Sequence, residues 1–179
     1  MRFVKAITLF LVSCTLIACG EPAADISKPS NYNKNGIDFS YPSNWEVTED
    51  SQVEDVRYLF IETPGDAIVI MQLYTQENAS DLQEYAEWFS SVSKEETPLA
   101  ERITKNFSTV VLKTNNGSIK GVRENFSIKL VGINIPHRID YYRINGKQYA
   151  AYIICQSATE DLKKVAPGFA LITKSFKFE

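Results

Sequence analysis

Side chains that do chemistry are scarce in this sequence: one histidine, three cysteines and two methionines among 179 residues. A lone His137 cannot assemble a metal site without cysteine or carboxylate ligands at suitable spacing, and no such spacing is present. Cys14 and Cys19 lie at the extreme N-terminus, so Cys155 stands alone in the body of the chain and no internal disulfide can form there. No Gly-rich phosphate loop and no Gly-x-Ser-x-Gly elbow occur, which leaves nucleotide-binding and acyl-hydrolase readings without support. The longest apolar run, from Ala6 to Ala18, has 13 residues, against the roughly 20 that a membrane-spanning helix needs. Beyond residue 18 there are 17 basic and 22 acidic side chains, a balance that disfavours nucleic acid as a partner.

What is present begins with that short apolar run. Met1 to Lys5 supply a positive start, and the run after them reads as a secretory leader over residues 1–18. It ends in Leu16-Ile17-Ala18-Cys19, which resembles a lipobox, the bacterial lipoprotein signal in which small residues admit the peptidase and the cysteine carries lipid. Cys19 is therefore the expected lipidation site and first mature residue, and the membrane an expected partner through that lipid. Gly20 follows, where Gram-negative lipoproteins that stay at the inner membrane usually carry Asp; the resemblance implies an outer-membrane anchor facing the periplasm in such a host.

Residues 20–35 are rich in Pro, Ala, Ser, Asn and charge without an apolar period, which predicts a lipidated flexible tether over 19–35 and one globular domain over 36–179. Ile37, Phe39 and Tyr41 alternate as one strand face, and Pro42-Ser43-Asn44 turns the chain before Trp45 and Val47. Val56 to Glu62 and Ala67 to Tyr74 are β-prone runs joined by Pro64-Gly65-Asp66, a hairpin. Ser80 with Gln83 predicts a capping box, opening a helix whose apolar face is Leu82, Tyr85, Ala86, Phe89 and Val92. Strands return from Phe107 to Cys155, with Asn116-Gly117 and Asn145-Gly146 as expected type I′ turns. Within them Phe126, Ile128 and Leu130 oppose Asn125, Ser127 and Lys129. Tyr149 to Gln156 is apolar on both faces, so it is expected to be central, with helices on both sides. A last helix from Thr159 is expected to break at Pro167-Gly168. The order of elements predicts an α+β fold, a mainly antiparallel sheet flanked by helices on both faces.

The opening Ile37-Asp38-Phe39-Ser40-Tyr41-Pro42-Ser43-Asn44-Trp45-Glu46-Val47 resembles the start of PsbP-like proteins and of the related DcrB-like bacterial lipoproteins. Pro167 to Ile172 with Ser175-Phe176, and Asn145-Gly146 with Tyr149, are similar to that fold's ending. The resemblance spans residues 36–179 and implies an α/β/α sandwich serving as a non-enzymatic binding or assembly factor. It offers no catalytic residue or ion site to transfer and implies no cofactor.

Cys155 and His137 are the only residues suited to a Cys-His pair, but Cys155 lies mid-strand beside Ile153 and Ile154, with no cation near it in sequence to activate the thiol. Glu46, Glu49, Asp50, Glu54 and Asp55 form an acidic cluster without the glycine and spacing of an EF-hand. Asn-x-Ser triplets at Asn78, Asn106, Asn116 and Asn125 have no meaning for a lipobox-bearing chain.

Charge segregates along the chain. Asp38 to Glu101 carries 15 acidic and 2 basic side chains, a balance of −13, whereas Arg102 to Lys147 carries 9 basic and 2 acidic, a balance of +7. Two outcomes follow. Either strands of the two segments neighbour each other and the charges offset, or Lys120, Arg123, Lys129, Arg138 and Arg143 belong to a basic surface that draws an acidic envelope partner. The expected role is a membrane-anchored, non-catalytic protein-binding or assembly module. The alternative is a lipoprotein holding a small amphipathic ligand between sheet and helix with Tyr85, Trp88, Phe89, Tyr141 and Tyr142.

Overall fold

The strand that is apolar on both faces, β9 (Tyr149–Ala158), is the middle one of seven in an antiparallel sheet. The computed structural model describes residues 21–95, 101–115, 117–130 and 132–179; the leader, the lipobox and Cys19 lie outside them. Across the sheet the order is β3 (Glu46–Val53), β4 (Val56–Glu62), β5 (Ile68–Thr75), β9, β8 (Ile133–Asn145), β7 (Gly117–Leu130) and β6 (Glu101–Thr114). A smaller sheet contains β1 (Ser30–Lys34), β2 (Ile37–Tyr41) and the C-terminal β10 (Lys177–Phe178).

Each face of the large sheet has its own core. Helix α1 (Leu82–Glu95) sets Tyr85 and Ala86 against Val122, Ile139, Tyr141, Tyr152 and Ile154. On the other face, Val165, Phe169 and Ile172 of α2 (Leu162–Ser175), with Phe39 of the small sheet, meet Val69, Met71, Ile153 and Cys155. The period-two alternation of β9 thus feeds both cores. The expected α+β sandwich with a mainly antiparallel sheet is present, with the small sheet added beside α2.

Several local expectations are corrected. The segment read as a flexible tether is in part docked on the domain: β1 lies within it, Tyr32 is buried and stacks on Phe39 with ring centroids 4.9 Å apart, and the Ala24 N–H donates to the Lys164 carbonyl at 3.0 Å. One aromatic among polar residues anchors this hairpin, a signal too sparse for a composition argument. Its reversal is Asn35-Gly36, at φ +51° and +79°, and here the Asn-Gly dipeptide takes the two positive-φ positions of a tight turn.

The other two Asn-Gly pairs are not the reversals themselves. Thr114 pairs with Gly117, placing that turn one residue earlier; residue 116 lies outside the described residues. Asn145 pairs with Ala150, and the Gly146 N–H donates to the Tyr149 carbonyl at 2.8 Å, so the chain reverses at Lys147-Gln148. Gly146 answers a packing need instead, since a Cβ there would lie 2.6 Å from the Phe178 ring.

Helix α1 is capped by Asp81, whose Oδ1 accepts from the Gln83 N–H at 2.8 Å, rather than by Ser80. The Ser80 carbonyl is held by the Tyr152 hydroxyl and by Arg143, so the helix begins after it. Helix α2 runs unbroken through Pro167, which is exposed, so the carbonyl that loses its helical donor can be solvated. Gly168 admits Trp45: an added Cβ would lie 2.4 Å from the indole.

Candidate functional site: a charged groove beneath the second helix

The charge division of the sequence becomes a division of the sheet. Strands β3, β4 and β5 come from the acidic segment and lie on one side of β9; β8, β7 and β6 come from the basic segment, Glu101 apart, and lie on the other. β9 and its neighbour β5 carry no charged residue, and β4 carries one of each sign, Arg57 and Glu62, so among the strands on that side β3 alone is net negative. Apart from Glu101, which lies opposite Lys129, no strand pair among the described residues joins the two segments, so strand pairing offsets little of their charge. The faces differ, however. Helix α1, with Glu84 and Glu87, packs over β6, β7 and β8, laying acidic residues across the basic half on that face. The opposite face receives α2, whose charged residues are Lys163, Lys164 and Lys174, while the 3-10 turn before it, Thr159–Asp161, brings Glu160 and Asp161 to β8.

The five candidate binding residues fall on both faces. Alternation along β7 and β8 sends Arg123, Lys129 and Arg138 to the α2 face, and Lys120 and Arg143 to the α1 face. Arg143 is occupied within the fold: it donates to the Ser80 carbonyl at 2.9 Å and lies over Tyr152. Lys120 and Lys129 are exposed, at opposite ends of β7. Arg123 and Arg138 come together, joined by Asp140.

These three line a groove of about 250 Å³ between α2 and the β6–β8 face, whose apolar walls include Val110, Leu112, Tyr142 and Phe169. Arg123 gives two parallel hydrogen bonds to Asp140, at 2.7 and 2.8 Å, a fork geometry that matches guanidinium to carboxylate. These bonds foremost raise the Arg123 pKa. Arg138 is 3.9 Å from the same carboxylate; burial lowers its pKa, with Asp140 opposing and Arg123 adding to the shift. Asp140, one of only two acids in the basic segment, was not singled out by sequence reasoning, although its isolation among cations was the available signal. The groove's apolar walls come from four separate elements and had no sequence signal.

A larger open cleft, about 1210 Å³, lies between the Asn35-Gly36 turn, the β8–β9 turn and the C-terminal strand. Its Arg57 is taken up by the fold, donating to both oxygens of Asp50, the Tyr32 hydroxyl and the carbonyls of Asn35 and Lys34. The remaining charges on its walls, Asp55, Lys147, Lys177 and Glu179, are of both signs.

Cys155 and His137 occupy opposite faces of the sheet. Cys155 belongs to the α2-side core, where burial pushes its thiol pKa up, while His137 stacks on Phe126 of the α1-side core. They cannot form a nucleophile–base pair. Four of the five candidate ligand aromatics belong to the α1 side, where Tyr85 stacks on Tyr152 at 3.7 Å and Phe89 meets Tyr141 edge-on at 5.8 Å. Trp88 is exposed, and Tyr142 lies across the sheet in the groove. Among the described residues no three His, Cys, Asp or Glu side chains gather to hold a metal ion.

The architecture is similar to that of cyanobacterial PsbP (CyanoP) from Synechocystis sp. PCC 6803, with a TM-score of 0.56 and 14% identity over 94% of this chain and 99% of that one. LpqN of Mycobacterium tuberculosis, described as involved in cell envelope biogenesis, gives a TM-score of 0.45 at 11% identity over 87% of this chain and 98% of that one. A Bacteroides thetaiotaomicron protein gives 0.47 at 14% identity over 83% of this chain and 48% of that one. No family model matches the chain, and no curated protein matches it by sequence. From the alternating strands, the two flanking helices and the likeness to CyanoP, the chain has the PsbP-like fold.

Proposed function

We propose that the protein is a lipid-anchored, non-catalytic binding module of the bacterial cell envelope, held through Cys19 and meeting another envelope protein with the basic half of its sheet. The observation that carries this reading is the grouping of the three net-basic strands β6, β7 and β8 on one side of the uncharged β9, with the acidic β3 at the far edge of the sheet and the lysine-bearing α2 over the other face. Such a face attracts an acidic partner over about a Debye length, roughly 8 Å at physiological salt. The leader and Leu16-Ile17-Ala18-Cys19 support the anchor, and Gly20 supports the outer membrane, periplasmic side, in a Gram-negative host. A buried Cys155 separated by the sheet from His137 supports a role without covalent catalysis.

The test is in-cell crosslinking of the tagged chain, followed by mass spectrometry of what copurifies. A specific envelope protein is expected with wild type, and its loss is expected both in Cys19→Ser and when Lys120, Arg123 and Lys129 are reversed to Glu. Undiminished capture by the reversed variant contradicts the reading.

A second reading, an amphipathic small ligand, finds its space in the open cleft rather than between α1 and the sheet. Ile37, Leu73, Ile144 and Phe178 give that cleft apolar surface beside its mixed charges. A ligand copurifying in native mass spectrometry, lost when Leu73 and Ile144 are changed to polar residues, would favour it.

A further inference from the structure

Beneath α2 two guanidinium groups share one carboxylate. Both oxygens of Asp140 are engaged by Arg123. Arg138 stands 3.9 Å from one of those oxygens, beyond hydrogen-bond reach, and its Nε is closed off from solvent with no hydrogen-bond partner among the described residues. The three groups carry a net charge of +1 against apolar walls. Arg138 keeps 23% of its side chain exposed and has only a long ion pair to a carboxylate already bound by Arg123, so the arrangement has charge and access to spare for a second anion.

The walls select the kind of anion. Val110, Leu112 and Phe169, with Ala166 and Ala170 of α2, present hydrocarbon surface that an inorganic ion would leave unused. The volume, about 250 Å³, is below the roughly 300–1,000 Å³ typical of sites for whole small-molecule ligands, and suits one or two side chains. Val110 and Leu112 belong to β6, the outermost strand of the sheet, so a chain segment passing that edge can enter from the side.

We infer that the groove seats an acidic side chain from an exposed segment of the partner protein, its carboxylate paired with Arg138 and an adjacent aliphatic side chain packed on Phe169 and Leu112. This rests on the protein-binding role proposed above and supplies that role with a contact. The Arg123–Asp140 pair fixes the carboxylate beside which Arg138 stands. Asp140 also provides selectivity, since a carboxylate that cannot reach Arg138 meets its negative charge instead.

The probe is a set of short capped peptides titrated into the full-length, isotope-labelled chain in detergent micelles, with arginine Nε–H and Phe169 signals followed by NMR. Acetyl-Val-Glu-Leu-amide is expected to saturate, to move the Arg138 Nε–H signal, and to bind about tenfold or more tighter than acetyl-Val-Gln-Leu-amide, as a charge-assisted hydrogen bond requires. Arg138→Gln should abolish that preference, and Lys113→Gln, at an exposed position of β6 outside the groove lining, should preserve it. Because the Arg138–Asp140 pair is long, part-exposed and made to a carboxylate already bound by Arg123, Arg138→Gln should unfold at about the same temperature as wild type. A lower unfolding temperature would make Arg138 a structural residue and overturn the assignment.

Equal binding of the two capped peptides, or no saturable response to either, would also overturn it. Tighter binding of acetyl-Val-Leu with a free C-terminus would overturn the choice of an acidic side chain in favour of a chain terminus. An envelope partner still captured in cells by Arg138→Gln would remove the groove while leaving the binding-module role intact.

Discussion

Glu124 accepts a hydrogen bond from Arg102 at 2.9 Å with both side chains out of solvent. The same carboxylate accepts from Tyr141 at 2.8 Å and from Ser90 of α1 at 2.7 Å, and the Arg102 guanidinium lies 3.9 Å from the Phe126 ring centroid. One buried carboxylate therefore ties α1 to three strands of the basic half. Glu124→Gln leaves a buried guanidinium without its counter-charge and should cost about 3–5 kcal/mol, read as a lower urea midpoint. Replacing both members together, Arg102→Met with Glu124→Leu, should recover most of that loss, because the desolvation cost of the two charges disappears with them. A double variant as unstable as the single one would show that hydrogen bonds to Ser90 and Tyr141, not charge balance, dominate.

Gly168 faces Trp45 at the contact of α2 with the chain between β2 and β3. Replacing glycine by alanine inside a helix ordinarily gains about 1 kcal/mol. Here the new methyl group would lie 2.4 Å from the indole and 2.7 Å from Pro42, and the indole is buried edge-on against Phe169 at 5.6 Å, so neither neighbour has room to withdraw. Overpacking should win, and Gly168→Ala is expected to destabilise by about 1–3 kcal/mol in urea unfolding. A stabilised variant would mean that Trp45 is free to move.

Stability should fall at both ends of the pH scale through one cluster. The Arg57 hydrogen bonds foremost hold the Asp50 carboxyl below its ordinary pKa. The unfolded chain then binds that proton more readily than the folded one, so the contribution is complete above the unfolded value, about 3.9, and is lost as pH falls through the lower folded value. Asp50→Asn should flatten this acid limb of the urea midpoint. Burial first, and then Asp50, pushes the Tyr32 hydroxyl up to about 12. Its contribution is complete below the unfolded value near 10 and is lost as pH climbs through about 12. Tyr32→Phe should remove that alkaline limb, with phenolate absorbance as the direct check.

Long, periodic elements were legible in the sequence because burial on one face or both leaves a pattern several residues long. The α1 face and the doubly apolar β9 are the clear cases. Tyr32 was not legible, since one aromatic cannot outweigh polar neighbours until Phe39 is known to lie beneath it. Gly146 and Gly168 looked like chain breakers, yet each answers an aromatic ring brought from elsewhere, Phe178 or Trp45, and such a need is visible only in three dimensions. Charge segregation was legible as a count, but its meaning depended on strand order. The Arg123–Asp140–Arg138 arrangement was half legible: both arginines were candidates, while the carboxylate that binds one closely and the other only at 3.9 Å could be assigned only from register and distance.

The most direct test of the binding role is site-specific photocrosslinking in cells. One crosslinking residue is placed at Ser108, exposed on β6 opposite Arg123 on the α2 face, and another at Thr48, exposed at the bulge of the acidic edge strand β3. A discrete adduct with one envelope protein is expected from position 108 and none from position 48. An adduct from position 48 alone, or equal adducts from both, would contradict that role.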